Sequence, residues 1–382
     1  MRSEPGIDDT RITLVLPSWG PGPKNGRMKA VIWKSFEAPL VVEEVPEPTL
    51  GGGQVLIDVV AARVLAYAGD VFSGKRQYLL TPPVTPGLGG VGRIAALGHD
   101  ATELAVGDWV IIDPTVRARD NAISPAIVLQ GLTAGGTRAL GLQKSVPDGS
   151  WAERMRVPTE NAIPIGSIEP AQAKAWATLG SYLVPFGGFD AAQLKAGEIV
   201  VINGATGSFG SAGIAVALAL GAACVIVTGR NREVLEHLGR RFGARVRPVV
   251  MTVDEESDRA RILEAAPGPI DCVLDLLPPA ASAAQVRAAL KTVRPYGRVV
   301  LMGGVREDLA LPYAWLMREC ITVRGQWMYL RAAIGRLVAL VRAGVLQLDA
   351  SSITSFGLEQ VNEAITHAGA HAAPFEATVI CP

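Results

Sequence analysis

The chain has 382 residues, of which 49% are apolar and 19% are charged, and its 36 basic and 36 acidic residues leave no net charge. This length predicts two domains, and the charge balance gives no indication of a nucleic-acid partner. No apolar run is long enough to span a bilayer. Four cysteines without paired spacing (Cys224, Cys272, Cys320 and Cys381) indicate a reducing compartment, so we expect a cytoplasmic protein.

Residues 1–27 are predicted to be a flexible extension. Their apolar run at 12–16 is too short for a signal peptide, and residues 17–26 are rich in Pro and Gly. The folded part is therefore expected to begin near Met28.

The segment that follows, up to residue 168, contains short apolar runs separated by Gly and Pro. The strands predicted there cover residues 29–33, 40–44, 54–62, 90–97 and 109–112. Short strands with this punctuation are typical of a partly open β-barrel.

From about residue 169 the pattern changes to alternating helices and strands, which predicts a doubly wound parallel sheet over residues 169–330. Its strands are predicted at 199–202, 223–227, 246–251, 272–276, 298–302 and 321–325. A helix is predicted over 280–293, between the fourth and fifth of these strands. The chain as a whole is therefore predicted to have an α/β fold.

A glycine-rich loop directly follows the first of these strands. It consists of Gly204, Ala205, Thr206, Gly207, Ser208, Phe209 and Gly210. An Ala-rich helix, predicted over 211–220, comes next. The first glycine allows a tight turn, the second allows backbone N–H groups to approach a pyrophosphate, and the third allows close helix packing. Because the helix N-terminus attracts negative charge, this pattern predicts a dinucleotide site.

The end of the second strand indicates which dinucleotide binds. The residues there are Thr228, Gly229, Arg230, Asn231 and Arg232, with no carboxylate for the ribose hydroxyls of NAD. The arginines are able to bind a 2′-phosphate, and Thr228 and Asn231 to donate hydrogen bonds to it, so the predicted cofactor is NADPH.

Two further cofactor-binding segments are predicted at the carboxyl ends of the fourth and fifth strands, where ligands bind in sheets of this kind. The first segment consists of Leu276, Leu277 and Pro278, and the second of Met302, Gly303 and Gly304.

Taken together, these segments resemble the medium-chain dehydrogenase/reductase superfamily. The resemblance rests on the glycine loop and on the runs at 107–110, 149–154, 194–200 and 293–300. It implies a GroES-like catalytic domain formed by residues 28–168 and 331–382, with a Rossmann NADP-binding domain at 169–330. It also implies a homodimer that extends its sheets at the strand 321–325. The Ala-Thr-Gly of the loop is most similar to the quinone oxidoreductase branch.

The resemblance also identifies where zinc enzymes of this superfamily bind their metal. The matching positions here are Leu65, Leu88 and the segment 177–182, none of which offers a Cys, His, Asp or Glu side chain. Residues 113–131, where a structural zinc loop would fall, contain no cysteine. We therefore predict that the protein binds no zinc.

Without a metal, the substrate must be activated by another group. The resemblance suggests Tyr67, which stands where the zinc enzymes have the Ser or Thr of a proton relay, and Tyr78, close to a tyrosine of the mitochondrial enoyl reductases. Either phenol can donate a proton or polarise a carbonyl. Asp70 is expected to orient a tyrosine or to pair with Lys75 or Arg76.

The predicted substrate-pocket residues are aromatic or apolar and comprise Tyr182, Phe186, Trp327, Met328 and Tyr329. The resulting hypothesis is an NADPH-dependent, zinc-independent reductase of an activated double bond in a small quinone, enone or enoyl-type substrate. Reduction of C=O or C=N, and a non-catalytic NADPH-binding protein, remain alternatives.

Overall fold

The computed structural model describes residues 26–36, 38–348 and 352–382. The fold is α/β, with a β-rich first domain and a parallel-sheet second domain, as the sequence predicts. Most of the predicted extension lies outside the described residues. Arg27, which the sequence assigned to the extension, is already the first residue of a strand.

The described residues of the first domain before residue 177 form short strands and three short α-helices. The strands are β1 (Arg27–Ile32), β2 (Val41–Pro46), β3 (Gln54–Val64), β4 (Gly90–Leu97), β5 (Trp109–Ile112), β6 (Thr115–Arg117), β7 (Ile127–Leu129), β8 (Thr133–Ala134), β9 (Arg154–Pro158) and β10 (Ala162–Pro164). The helices are α1 (Ala68–Phe72), α2 (Leu140–Ser145) and α3 (Ala173–Trp176).

The second domain alternates helices and strands. Its helices are α4 (Leu179–Ala192), α5 (Ser208–Ala219), α6 (Arg232–Phe242), α7 (Glu255–Ala265), α8 (Ala283–Leu290), α9 (Tyr313–Arg318) and α10 (Arg331–Arg342). Its strands are β11 (Ile199–Asn203), β12 (Cys224–Gly229), β13 (Val246–Val250), β14 (Ile270–Asp275), β15 (Val293–Leu301) and β16 (Thr322–Gly325).

These six strands form one parallel sheet in the order β13-β12-β11-β14-β15-β16. The chain order reverses between β11 and β14, and ligands bind at such a switch point. The helix predicted over 280–293 is shorter than expected. Ser282 and Gln285 form a capping box that starts α8 at Ala283, and Val293 already belongs to β15.

The chain then returns to the first domain through β17 (Ser352–Phe356), α11 (Val361–Ala370) and β18 (Glu376–Ile380). This return comes later than the predicted boundary at residue 331, because α10 still packs against α4 of the second domain. β18 pairs antiparallel with β3, which places Thr378 opposite Val64 and Val379 opposite Arg63. The resulting seven-stranded sheet follows the order β10-β5-β4-β3-β18-β17, with β9 also paired to β3.

The barrel core lies between these strands and α11, around the buried side chains of Trp33, Ile57, Ile94 and Met155. Register shifts in the β3–β4 pair indicate β-bulges, which bend a strand and help a sheet to close. Within the described residues, no helix is long and apolar enough to cross a bilayer.

Candidate active site

A cleft of about 610 Å³ lies between the two domains. The carboxyl ends of β11, β12, β14 and β15 line one side of it, and the end of β3 and the segment from α11 to β18 line the other. The cleft therefore occupies the switch point of the parallel sheet and opens onto the barrel.

The glycine loop forms the floor of this cleft. Gly204 has a φ of 91°, a backbone conformation that favours glycine. A Cβ at Gly210 would lie 2.2 Å from the carbonyl oxygen of Gly204, whereas a Cβ at Gly207 would meet nothing within 4 Å. The first and third glycines are thus required by the fold of the loop, and the second leaves space beside the N-terminus of α5. Six of the seven loop residues line the cleft, and the seventh, Ala205, is fully buried.

Three of the five residues predicted at the end of β12 to bind the cofactor line the cleft. Gly229 and Arg230 line the cleft. Thr228 also reaches it, but its buried hydroxyl donates to the Asn203 side-chain oxygen at 2.8 Å and is not available to a phosphate. Asn231 and Arg232 do not line the cleft, and their contacts with the cofactor stay a prediction, because both side chains interact within α6 in this structure. Asn231 Oδ1 caps the helix by accepting from the Val234 N–H at 3.2 Å, and exposed Arg232 lies 3.9 Å from Glu236.

A buried polar pair supports the loop from below. Asn203 Nδ2 donates to Asp275 Oδ1 at 2.8 Å. Burial raises the pKa of Asp275 to about 7, although the hydrogen bonds from Asn203 and from the Leu277 backbone oppose this shift. The pair joins the ends of the adjacent strands β11 and β14 and so fixes their relative position.

The ends of β14 and β15 line the cleft with the six residues predicted there, namely Leu276, Leu277, Pro278, Met302, Gly303 and Gly304. The Gly304 N–H donates to the Leu277 carbonyl at 2.8 Å. A Cβ at Gly303 would lie 2.7 Å from Asp275 Oδ2, so the close approach of the two segments requires a glycine at this position.

A smaller inner chamber of about 70 Å³ adjoins the cleft. Leu65, Leu88 and Ala177 all line it, although they come from three separate parts of the chain. Leu65 and Leu88 are two of the positions that the resemblance matched to the metal ligands of zinc enzymes, and Ala177 belongs to the segment 177–182 that it matched to the third. Among the residues described, no group of three or more His, Cys, Asp or Glu side chains is placed to hold a metal ion.

Tyr67 and Tyr78 lie together at the barrel side of the cleft. Their ring centroids are 6.3 Å apart, and the rings are nearly perpendicular at 80°. Burial raises the pKa of Tyr67 well above its usual value, and the neighbouring Tyr78 adds to this effect, whereas Arg76 and Arg63 oppose it. Tyr67 is therefore a protonated phenol at neutral pH, able to donate a hydrogen bond into the cleft.

The expected side-chain pair between Asp70 and Arg76 is not formed. The Arg76 backbone N–H instead donates to the Asp70 carbonyl at 2.7 Å. The Arg76 guanidinium lies over the ring of Tyr67, 4.0 Å from its centroid, and 5.0 Å from that of Tyr78.

Arg63 is a site residue that the sequence analysis missed. It lines both the cleft and the inner chamber, and its Nη2 donates to Ser208 Oγ, in the first residue of α5, at 2.7 Å. Its Nε is buried without a hydrogen-bond partner, and burial lowers the pKa of Arg63 to about 10, so it remains charged. The sequence feature that indicates a special role for Arg63 is its position as the single charged residue in the apolar run 59–65.

The five predicted pocket residues lie at different depths. Trp327 and Met328 line the cleft. Tyr329 lines the inner chamber, and its hydroxyl donates to the buried Asp113 carboxylate at 2.9 Å. Tyr182 and Phe186 were wrongly placed on the pocket wall, because α4 buries both side chains in the core between the domains.

Two family models match this chain, one in each domain. The alcohol dehydrogenase GroES-like domain matches residues 51–167, and the zinc-binding dehydrogenase domain matches residues 209–343. The chain thus belongs to the medium-chain dehydrogenase/reductase superfamily, and it is an oxidoreductase of that type.

Individual relatives agree with this assignment. An L-threonine 3-dehydrogenase of Streptomyces coelicolor is 27% identical over 308 residues, which cover 78% of this chain and 83% of the relative. An alcohol dehydrogenase of Geobacillus stearothermophilus is 28% identical over 290 residues, which cover 75% of this chain and 80% of the relative.

The solved structures support the fold. A putative zinc-binding dehydrogenase of Sinorhizobium meliloti bound to NADP has a TM-score of 0.73 at 22% identity, covering 94% of this chain and 100% of that one. An Escherichia coli alcohol dehydrogenase complexed with NADH has a TM-score of 0.74 at 18% identity, and the match covers 93% of this chain and 99% of that one.

Proposed function

We propose that this protein is an NADPH-dependent, zinc-independent reductase of an activated carbon–carbon double bond in a quinone, enone or enoyl-type substrate. The observation that carries the proposal is the convergence of Leu65, Leu88 and Ala177 on the inner chamber beside Tyr67. A substrate carbonyl in this chamber meets apolar side chains and a phenol, and none of these three side chains is able to coordinate a metal.

The residues around the cleft fit a dinucleotide. The space at Gly207 and the N-terminus of α5 suit a pyrophosphate, and the unpartnered Nε of Arg63 supplies positive charge beside Ser208. Arg230, at the end of β12, suits the 2′-phosphate of NADPH, and no carboxylate stands at this strand end to repel it.

Bound at this site, the nicotinamide would supply the hydride. Tyr67 would donate a hydrogen bond to the substrate carbonyl oxygen, on which negative charge develops as the β-carbon is reduced. Tyr67, whose pKa is raised by burial, is protonated at neutral pH and would be the proton source for this oxygen or for the neighbouring carbon. Leu65, Phe209 and Met328 line the inner chamber and limit the access of water to the reacting atoms.

A second candidate is NADPH-dependent reduction of a carbonyl group. It is favoured by the names of the relatives, which are alcohol and L-threonine dehydrogenases. In this alternative Tyr67 would protonate the oxygen atom of the carbonyl that accepts the hydride.

Reduction of an enone with NADPH deuterated at C4 distinguishes these candidates. Proton and deuterium NMR of the product is expected to show a saturated ketone with deuterium at its β-carbon. An allylic alcohol with deuterium at the carbinol carbon would support carbonyl reduction instead. If NADPH binds and no quinone, enone, aldehyde or cyclic imine is reduced, the protein is a cofactor-binding protein and the reductase proposal fails.

We also propose that the protein is a homodimer joined at β16. The two edges of the six-stranded sheet differ, because β13 contains Pro248, which lacks a backbone donor, whereas β16 contains no proline. Beside β16, the α9 side chains Tyr313 and Met317 are 80% and 59% exposed. An exposed apolar surface next to an unpaired strand is typical of an interface.

A further inference from the structure

Arg76 is a cation that lines the cleft on its first-domain side. Its guanidinium carbon lies 4.0 Å from the ring centroid of Tyr67 and 5.0 Å from that of Tyr78, a cation–π arrangement that does not use its N–H groups. In the described part of the chain, no carboxylate forms a salt bridge with it, and its one expected partner, Asp70, is engaged through the backbone only.

The other cleft cations have positions that suit the cofactor. Arg63 lies on Ser208 at the N-terminus of α5, and Arg230 lies at the end of β12. Arg76 lies in the first domain beside Tyr67, the phenol to which the proposed function assigns the substrate carbonyl. Glu376 is the one carboxylate among the described cleft-lining residues, and it forms no salt bridge with Arg76 either.

We propose that Arg76 binds an oxyanion of the substrate, so that the physiological acceptor is an unsaturated carbonyl compound that carries a carboxylate or a phosphate. This inference rests on the proposed function. Arg76 would pair with the anion through two parallel N–H···O bonds, while Tyr67, whose ring it covers, donates to the carbonyl oxygen. The cation and the phenol together would fix which end of the substrate enters the inner chamber.

Matched substrate pairs test this assignment in the holoenzyme with NADPH. trans-4-Oxo-2-pentenoate is compared with its methyl ester, and an enone phosphate monoester is compared with the corresponding alcohol. The charged member of a pair is expected to have the higher kcat/KM. A difference in the first pair indicates a carboxylate substrate, and a difference in the second pair indicates a phosphate substrate. Arg76→Gln is expected to lower kcat/KM for the charged substrate by roughly 10- to 100-fold, mainly through KM. The neutral partner should keep its rate.

Two variants serve as controls. Arg76→Lys retains the charge and should recover part of the preference for the anion. Lys75→Gln removes a charge from the exposed neighbouring residue, which does not line the cleft, and should change neither substrate. The proposal is overturned if charged and neutral substrates are reduced equally well by the unmodified protein. An equal loss for both substrates in Arg76→Gln would also overturn it, because Arg76 would then only position Tyr67.

A binding measurement separates this inference from the proposed function. Trp327 lines the cleft, so its fluorescence in the NADP⁺ complex is expected to report binding of the acid. Binding that is lost in Arg76→Gln and retained in Arg76→Lys supports the oxyanion site even if no substrate is reduced, in which case only the reductase proposal fails. Binding of the acid that is equal in both variants contradicts the oxyanion site.

Discussion

Tyr67 is the residue on which the proposed chemistry depends most directly. Tyr67→Phe retains the ring beneath Arg76 and removes only the hydroxyl, so we expect kcat for enone reduction to fall by about 100-fold or more, the contribution typical of a general acid. Stopped-flow or steady-state NADPH oxidation measures this loss. Tyr78→Phe is the matched control and should cause a smaller decrease. An unchanged rate for Tyr67→Phe on every acceptor would remove Tyr67 from the mechanism.

Asp275 is expected to make the stability of the protein depend on pH. Its pKa is about 7 in the folded protein, against an ordinary value of 3.8, so between these values the folded state holds a proton that the unfolded state has lost. The free energy of unfolding should therefore decrease by roughly 4 kcal/mol as pH rises from about 4 to about 7, since one pKa unit corresponds to about 1.4 kcal/mol. Above about pH 7 it should level off.

Urea unfolding of Asp275→Asn at several pH values isolates this contribution. The variant loses hydrogen-bond acceptor capacity towards Asn203 or Leu277, so it should be less stable overall, but its stability should vary less between pH 4 and pH 7. Parallel pH profiles of the two proteins would show that the Asp275 carboxyl does not titrate in this range.

At the scale of elements, the glycine loop offers a matched pair of substitutions. A Cβ at position 207 meets open space, so Gly207→Ala should leave the unfolding temperature of the free protein nearly unchanged while it weakens NADPH binding. A Cβ at position 210 would clash with the Gly204 carbonyl, so Gly210→Ala should lower both the unfolding temperature and the affinity.

Differential scanning calorimetry and isothermal titration with NADPH measure the two effects. Tight NADPH binding by Gly207→Ala would contradict the position assigned to the pyrophosphate.

How far the sequence predicts an element depends on how local its determinants are. The strand, glycine loop and helix at 199–220 were predictable because apolar runs, glycine spacing and helix propensity all act within one supersecondary unit. The aromatic residues of α4 were not, because this helix is apolar on nearly every side and its periodicity does not indicate which side faces the cleft.

Site residues that depend on contacts between distant segments were also missed. Arg63 becomes a cleft residue only because β18 pairs with β3 and the second domain brings Ser208 to its guanidinium. The environment of Arg76 likewise depends on how the loop after α1 folds back over Tyr67, whereas the sequence offered the nearby Asp70 as a partner.

At the scale of the whole molecule, the proposed dimer would extend each six-stranded sheet across β16. Met317→Glu places a charge in the exposed surface beside this edge, so we expect the variant to be largely monomeric in analytical ultracentrifugation, while the unmodified protein sediments as a dimer. Val106→Glu, which alters an exposed apolar residue of the first domain, is the control and should remain a dimer. A monomeric unmodified protein would contradict the β16 interface.

The most direct test of the account is turnover after metal removal. The protein is treated with EDTA, its zinc content is determined by mass spectrometry, and NADPH oxidation is followed with an enone or quinone, with NADH for comparison. We predict a zinc content far below one per chain and an unchanged rate, because Leu65, Leu88 and Ala177 provide no metal ligands. We also predict a preference for NADPH over NADH. Loss of activity on EDTA treatment that added zinc restores would contradict the proposal of a zinc-independent reductase.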